Sequence, residues 1–157
     1  MDIVIRKWRQ ADAAVLRVLF EQTVLRVNCR DYHPQQLVAW VNPDMTADEW
    51  LQRIQAISPY VACVGEQILG YADVQADGLI DHFFVHHEYQ RQGVGQVLMQ
   101  HLHLQAETAE IGRLYAHVSL TAKAFFEYAG FRVIDARIVH IRGQQLDNFL
   151  MEKPLLR

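Results

Sequence analysis

The chain has 157 residues, of which 15 are Lys or Arg and 18 are Asp or Glu, so its formal net charge is −3 at pH 7. This length predicts one domain over residues 1–157, and a hydrophobic fraction of 51% excludes intrinsic disorder. The acidic balance argues against a general nucleic-acid partner, because phosphate neutralisation needs an excess of Lys and Arg.

The sequence carries no signal for export, membrane insertion or metal binding. No apolar run reaches the roughly 18 residues of a transmembrane helix, and the first residues lack the apolar segment of a signal peptide. Cys29 and Cys63 are too few and too far apart for a zinc ribbon or a disulfide framework. His86 and His87 are adjacent on a predicted strand and should point to opposite faces. We therefore expect a cytoplasmic protein without a membrane partner or a metal.

The N-terminal part of the chain has the pattern of one strand followed by three helices. Alternation of aliphatic and polar residues predicts a half-buried strand over 2–8. Asp12 suits the N-cap of a first amphipathic helix, and Pro34 suits the first turn of a second. Thr46 and Glu49 form a capping-box pattern that predicts a third helix.

The rest of the chain alternates strands with two further helices. The predicted elements, in chain order, are strands over 60–64, 67–74 and 79–86, a helix from the following glycines to about 110, a strand over 114–118, a helix ending at Gly130, and strands over 131–141 and 146–152. The strand over 79–86 is almost continuously apolar, which is typical of a strand at the centre of a sheet.

The most informative segment lies between that apolar strand and the long helix after it. It consists of Gln90, Arg91, Gln92, Gly93, Val94 and Gly95. Glycines let a backbone approach a ligand closely, and the unpaired N–H groups at a helix N-terminus attract anions. The Walker and dinucleotide-binding patterns are both absent, which favours a phosphate ligand other than ATP or NAD. An ordinary strand-to-helix turn is the alternative.

Two motifs resemble those of one enzyme family. Gln90-x-x-Gly93-x-Gly95 after an apolar strand resembles the pyrophosphate-binding motif of the GNAT superfamily of acyl-CoA N-acyltransferases. The segment from Ser119 to Phe131 is similar to the family helix N-x-x-A-x-x-x-Y-E-x-x-G-F. The resemblance covers nearly the whole chain. It implies a single-domain α/β GNAT-like fold, with a mixed, mostly antiparallel central sheet of about seven strands flanked by helices.

By this resemblance the ligand is acetyl-CoA or a related acyl-CoA, which serves as the acyl donor. Backbone N–H groups of the glycine loop would bind its pyrophosphate, and main-chain groups of Phe83 and Val85 would pair with the pantetheine arm like an added strand. Ser119 and Phe126 fall at cofactor-binding positions of the family helix. Both depart from the pattern, because many members have Asn in place of Ser119 and a Tyr that protonates the leaving thiolate in place of Phe126.

Asp81 is the candidate catalytic base. Acyl transfer needs a neutral amine, and an amine with a pKa of about 10.4 is mostly protonated at pH 7, so a base or a water relay is expected. Asp81 interrupts the apolar strand and, at period two, shares the face of Leu79 and Phe83. The base of GNAT members that carry one on this strand lies on that face. A strand cap or an ion pair with Arg is the structural alternative.

The proton for the leaving thiolate needs a source other than Phe126. Tyr128 cannot replace the family Tyr, because two residues along a helix turn its side chain about 200° away from that of Phe126. His117 and Tyr115 share one face of the predicted strand over 114–118, so either could donate, and solvent or a purely structural histidine is the alternative. Direct attack by the amine makes a covalent intermediate unnecessary.

Tyr32 and His33 are candidates for contact with the acceptor, because they lie in a polar connection between two helices; an ordinary surface loop is the alternative. The sequence thus predicts an N-acetyltransferase that acts on the primary amine of a small molecule. Two other functions stay open, a CoA-binding sensor without turnover and a protein N-acetyltransferase. Since relatives commonly pair, a homodimer is a further expectation.

Overall fold

The computed structural model describes residues 1–155 and contains eight strands and five α-helices. The strands are β1 Val4–Lys7, β2 Tyr60–Val64, β3 Gln67–Ala72, β4 Leu79–Ile80, β5 Phe83–Val85, β6 Arg113–Ser119, β7 Arg132–Ile141 and β8 Gln144–Pro154. The helices are α1 Ala13–Arg26, α2 Pro34–Val41, α3 Ala47–Ile57, α4 Val94–Thr108 and α5 Lys123–Tyr128. Element order and type agree with the sequence-based prediction except over 79–86, where two short strands replace one predicted strand.

The strands form two four-stranded sheets, ordered β1-β2-β3-β5 and β4-β6-β8-β7. All neighbours are antiparallel except β4 and β6, which are parallel. This confirms a mixed, mostly antiparallel α/β fold. The predicted single sheet of about seven strands is corrected to eight strands in two sheets.

The extra strand arises because the predicted strand over 79–86 is broken at Asp81 and His82. The buried carboxylate of Asp73 accepts the backbone N–H of His82 at 2.6 Å and that of Asp81 at 3.1 Å. These two N–H groups are therefore withdrawn from the sheet ladder, and β4 and β5 join different sheets. The prediction that Asp81 shares one face of a continuous strand with its neighbours is accordingly wrong.

Helices cover both faces of the first sheet. Successive residues of β2, Val61 and Ala62, belong to different apolar clusters, so this strand is buried on both sides. Helices α1, α2 and α3 pack against the cluster that contains Val61, and α4 packs against the other. The predicted capping box of α3 is present, with the Glu49 N–H donating to Thr46 Oγ1 at 3.1 Å.

The N-terminus of α4 and the open edge of β5 face the second sheet. Between β5 and β6 the chain leaves a cleft, since these two strands belong to different sheets and both contribute to one cavity. Within residues 1–155, no helix has the length and hydropathy needed to cross a bilayer.

Candidate active site

The cleft contains a cavity of about 1010 Å³. This is the upper end of the size range of ligand pockets, about 300–1,000 Å³, so the cavity has room for more than a drug-sized molecule. Eleven residues predicted from the sequence line it: Tyr32, Asp81, Phe83, Val85, Gln90, Arg91, Gly93, Gly95, His117, Ser119 and Phe126. The fold therefore brings the predicted cofactor and catalytic residues to one place.

Three predicted residues are not part of the lining. Val94 begins α4 with its side chain buried in the core, and Gln92 is exposed. His33 is the exposed N-cap of α2, where its backbone N–H donates to Gln36. The structure thus does not bring His33 to the cavity, because the helix start turns its side chain elsewhere. Val94 contributes to the loop through its backbone, and the Gln92 side chain donates from Nε2 to the Glu88 carbonyl at 3.4 Å.

The loop before α4 is shaped by two residues with positive φ, Arg91 at 60° and Gly93 at 88°. Gly93 is the N-cap of α4, a helix of 15 residues, and no side chain caps this end. The first N–H with an acceptor inside the helix is that of Val97, which donates to the Gly93 carbonyl at 3.1 Å. The N–H groups before it are free to bind an anion that enters the cavity.

Gly95 brings the α4 backbone close to an aromatic ring. A Cβ at this position would lie 3.0 Å from the Phe125 ring, so a side chain here requires that ring to move by a few tenths of an ångström. Gln90 fixes the other end of the loop, because its Nε2 donates to the Val85 carbonyl at 2.7 Å. The loop is therefore held at both ends before a ligand binds.

β5 pairs with β3 on one side and leaves its other edge free. The His86 N–H donates to β3 at 2.8 Å, and the alternation of an antiparallel ladder then directs the main-chain groups of Phe83 and Val85 away from β3. The expectation that all main-chain groups of Phe83 and Val85 are available to a ligand is corrected for the Val85 carbonyl. The Val85 carbonyl already accepts from Gln90 and, at 3.0 Å, from the Thr23 hydroxyl, so its N–H is the group free for a ligand.

Asp81 is exposed and borders the cavity at the break between β4 and β5. His82 lies beneath it and is buried, with its Nδ1 3.0 Å from the Tyr71 hydroxyl. Burial lowers the pKa of His82 to about 4, against an opposing effect of Asp81. At neutral pH, His82 is thus an uncharged group that packs below the exposed Asp81 side chain.

Asp73 positions Asp81 and was not found from the sequence. Its side chain is fully buried and accepts three hydrogen bonds, the third from Gln75 Nε2 at 2.6 Å. Burial raises the pKa of Asp73 to about 6, although these hydrogen bonds oppose the rise. No sequence pattern reveals this role, because it depends on a turn that returns the chain to the same carboxylate eight residues later.

We predict that Asp73→Ala lowers the free energy of unfolding by about 1–3 kcal/mol, because the buried backbone N–H of His82 loses its acceptor at about that cost. The part-buried N–H of Asp81 loses its acceptor as well. Urea unfolding at pH 7 measures this. Asp135→Ala, on the exposed face of β7, is the matched control and should change stability little. A loss below about 0.5 kcal/mol, within the range of ordinary surface substitutions, would contradict the assigned role.

His117 projects into the cavity and Tyr115 does not line it. The apolar face of β6 is buried as predicted, and the Tyr115 hydroxyl donates to Asp77 at 2.6 Å. Burial lowers the pKa of His117, the charge of Arg137 lowers it further, and Asp81 opposes both. A histidine with a lowered pKa holds few protons at pH 7, so His117 is poorly suited to protonate a thiolate.

Ser119 and Phe126, the two residues that depart from the family helix pattern, each have defined contacts in the structure. Ser119 ends β6, and its hydroxyl accepts from the Ala122 N–H at 3.1 Å and from Asn28 Nδ2 at 3.4 Å. Phe126 is buried against Phe131, with ring centroids 5.0 Å apart, and reaches the cavity wall. Tyr128 is 79% exposed at the cavity mouth, so it points away from the Phe126 site, as the helix geometry predicts.

Tyr32 lines the end of the cavity next to β8. It is buried, and its hydroxyl donates to the Asp147 carbonyl at 2.6 Å and accepts from the Leu120 N–H at 3.0 Å. Arg142 closes the same end, since its Nε donates to the Ala39 carbonyl at 2.6 Å. Tyr32 thus joins the segment before α2 to β8, and Arg142, in the turn between β7 and β8, bonds α2 itself.

His86 and His87 do not point to opposite faces. They lie at the start of a 3-10 turn, and their rings stack with centroids 4.6 Å apart. One ligand atom from each, with one from Glu88, falls within 4.8 Å of the others, outside the cavity. His86 Nδ1 accepts the Glu88 N–H at 3.0 Å, so this histidine caps the turn.

Comparisons with known proteins match this chain to acetyltransferases. A family model described as an acetyltransferase (GNAT) domain matches residues 28–144. The chain is 31% identical to the N-acetyltransferase YafP of Escherichia coli K12, itself uncharacterised, over 150 residues, which cover 96% of this chain and 95% of the relative.

Solved structures share the whole architecture. A GCN5-related N-acetyltransferase from Rhodopseudomonas palustris superposes with a TM-score of 0.92 at 26% identity, covering 97% of this chain and 95% of that one. The PaiA N-acetyltransferase from Thermoplasma acidophilum, solved with coenzyme A, gives 0.79 at 17% identity, covering 99% and 100%. The second likeness shows the fold alone.

Proposed function

The chain belongs to the GNAT acetyltransferase family, and we propose that it transfers an acetyl group from acetyl-CoA to the primary amine of a small molecule by direct attack. One observation supports this most: the free N–H groups of α4, the open edge of β5 and the Asp81 carboxylate border one cavity. A phosphate group, an extended chain and a reacting amine are the ligands these three features suit.

The cofactor would lie along the first sheet. N–H groups from Arg91 to Gly95 would bind the pyrophosphate, assisted by the dipole of α4, at about 0.3–1 kcal/mol per favourable charge. The pantetheine arm would pair with Phe83 and with the Val85 N–H. Ser119 and Phe126, across the cleft, would contact the arm near the thioester.

Asp81 would accept the proton of the attacking amine. The amine nitrogen forms a bond to the thioester carbonyl carbon, the carbon–sulfur bond breaks, and the proton of the amine passes to the Asp81 carboxylate directly or through one water. The thiolate leaves without a covalent enzyme intermediate. Phe126 has no proton to give and the pKa of His117 is lowered, so we assign protonation of the thiolate to solvent at the open mouth of the cavity.

A CoA-binding sensor without turnover is the second candidate, because Phe126 and Ser119 replace two polar groups of the family helix. Release of free thiol from acetyl-CoA in the presence of an amine panel tests the proposal. We expect thiol release with at least one small amine. Tight binding of acetyl-CoA with no product from any amine would favour the sensor, and acetylated macromolecules in a treated lysate would favour a protein acetyltransferase.

The proposal includes the remaining expectations from the sequence. The chain would act as one domain over residues 1–157 in the cytoplasm, without nucleic acid or a metal. Size-exclusion chromatography with light scattering would distinguish a homodimer from a monomer.

A further inference from the structure

The cavity is cationic although the chain as a whole is acidic. Its lining includes five arginines and two aspartates, and neither Lys nor Glu, whereas the formal net charge of the chain is −3. Two of the arginines have assigned tasks, since Arg91 belongs to the phosphate loop and Arg142 binds the carbonyls of α2. The side chains of the remaining three, Arg30, Arg53 and Arg137, make no hydrogen bond or ion pair to any residue between 1 and 155.

Arg137 lies in a row of polar residues that crosses the second sheet. In the register of the strands, Asn148 of β8 is opposite Arg137 of β7 and opposite Ser119 of β6. Directly opposite residues of an antiparallel pair share one face, and all three line the cavity. The row therefore runs from the predicted cofactor side at Ser119 to a half-buried guanidinium at Arg137.

Asn148 supplies a second unsatisfied group beside Arg137. Its Oδ1 is buried and has no hydrogen-bond partner within residues 1–155. A buried acceptor without a donor costs about 1–3 kcal/mol, so a ligand N–H placed there would recover it. Arg137 offers N–H donors in a fork that matches a carboxylate or phosphate group. Together the two residues can bind an anion next to a donor.

Near the point of acyl transfer, the positive charge of Arg137 and the carboxylate of Asp81 both lie close to His117. His117 lies within the electrostatic range of both Arg137 and Asp81, which act on it in opposite directions. An acceptor with its amine at Asp81 and an anionic group at Arg137 would complement both charges. A polyamine would instead place an extra ammonium among unpaired arginines, which is unfavourable.

We propose that the acceptor is an amine that also carries an anionic group, a carboxylate or a phosphate. Arg137 binds this anionic group, and Asn148 Oδ1 accepts a hydrogen bond from an N–H of the amine. This rests on the proposed function and deepens it by naming the class of acceptor. Asp81 follows β4, which lies three strand spacings, about 14 Å, from β7. The long side chain of Arg137 covers part of that distance, so the amine and the anion belong to one short molecule.

Paired acceptors test the proposal. Thiol release from acetyl-CoA is measured with α-amino acids and their carboxamides, and with aminoalkyl phosphates and the matching amino alcohols. We expect the parent to prefer the anionic member of a pair by at least tenfold in kcat/KM. In Arg137→Gln this preference for the anionic acceptor should fall towards one. In Arg137→Lys, which keeps the positive charge, part of the preference should remain. The exposed Arg26→Gln, outside the cavity, keeps the parental ratio.

A second measurement needs no turnover. With coenzyme A present, N-acetyl amino acids should raise the unfolding temperature of the parent more than their amides do, and Arg137→Gln should abolish the difference. If no amine is acetylated but this difference appears and depends on Arg137, the proposed function fails and the anion site stands. Acetylation of amines without preference for the anionic member, or a ratio unchanged in Arg137→Gln, overturns the anion site and leaves the acetyltransferase proposal intact.

Discussion

Gly95→Asp is expected to weaken acetyl-CoA binding by about 100-fold or more. A carboxylate in the first turn of α4 would face the pyrophosphate, and two unit charges about 4 Å apart repel by about 4 kcal/mol at an effective dielectric constant of 20. Since about 1.4 kcal/mol is tenfold in affinity, the charge effect alone reaches this magnitude. The new Cβ, 3.0 Å from the Phe125 ring, adds a steric cost.

The fold itself should survive this substitution, because an acidic residue near a helix N-terminus is favourable to the helix. Calorimetric titration with acetyl-CoA measures the loss, and a thermal melt confirms that the protein is folded. Gly95→Asn, of nearly equal size but uncharged, should lose less and so separates charge from shape. Gly112→Asp, where a side chain meets nothing within 4 Å, is the control and should bind like the parent. Parental affinity in Gly95→Asp would refute the pyrophosphate site.

Much of the fold was accessible from the sequence because local signals agreed with the final packing. The capping box at Thr46, the glycines before α4 and the apolar periodicity of the helices each depend on neighbours within a few positions. Such signals predicted the order of the elements and the residues that gather at the cavity.

The break between β4 and β5 was not accessible in this way. The apolar run over 79–86 has the composition of one strand, and only the Asp73 carboxylate, brought back by the intervening turn, divides it. The stacking of His86 on His87 was missed for a related reason, since a strand geometry was assumed where the chain forms a 3-10 turn.

The cationic side of the cavity depends on long-range register. Arg137 and Asn148 are opposite each other only because β7 pairs with β8, and Ser119 joins them only because β8 also pairs with β6. A sequence shows the strands but not which residues face each other across them. The position of an unpaired guanidinium in the cavity therefore becomes visible only in the folded chain.

Asp81→Asn is expected to lower kcat/KM by about 100-fold at pH 7, within the range of about 10²–10⁴ for the removal of a general base. The amide is similar in shape to the carboxylate, and the Asp73 carboxylate still binds the backbone N–H of residue 81, so the site keeps its geometry. Acetyl-CoA binding should therefore stay close to that of the parent.

The pH dependence distinguishes a base from a structural carboxylate. As the pH rises towards the amine pKa of about 10.4, a growing fraction of the acceptor is already neutral and needs no base, so the defect of Asp81→Asn should shrink. A carboxylate that only stabilises the fold would give a defect of constant size. Asp77→Asn, exposed and outside the cavity, is the control. Rates measured from pH 6 to about 10 that keep the parental profile in Asp81→Asn would remove Asp81 from the proton transfer, because a base must govern how the rate varies with pH.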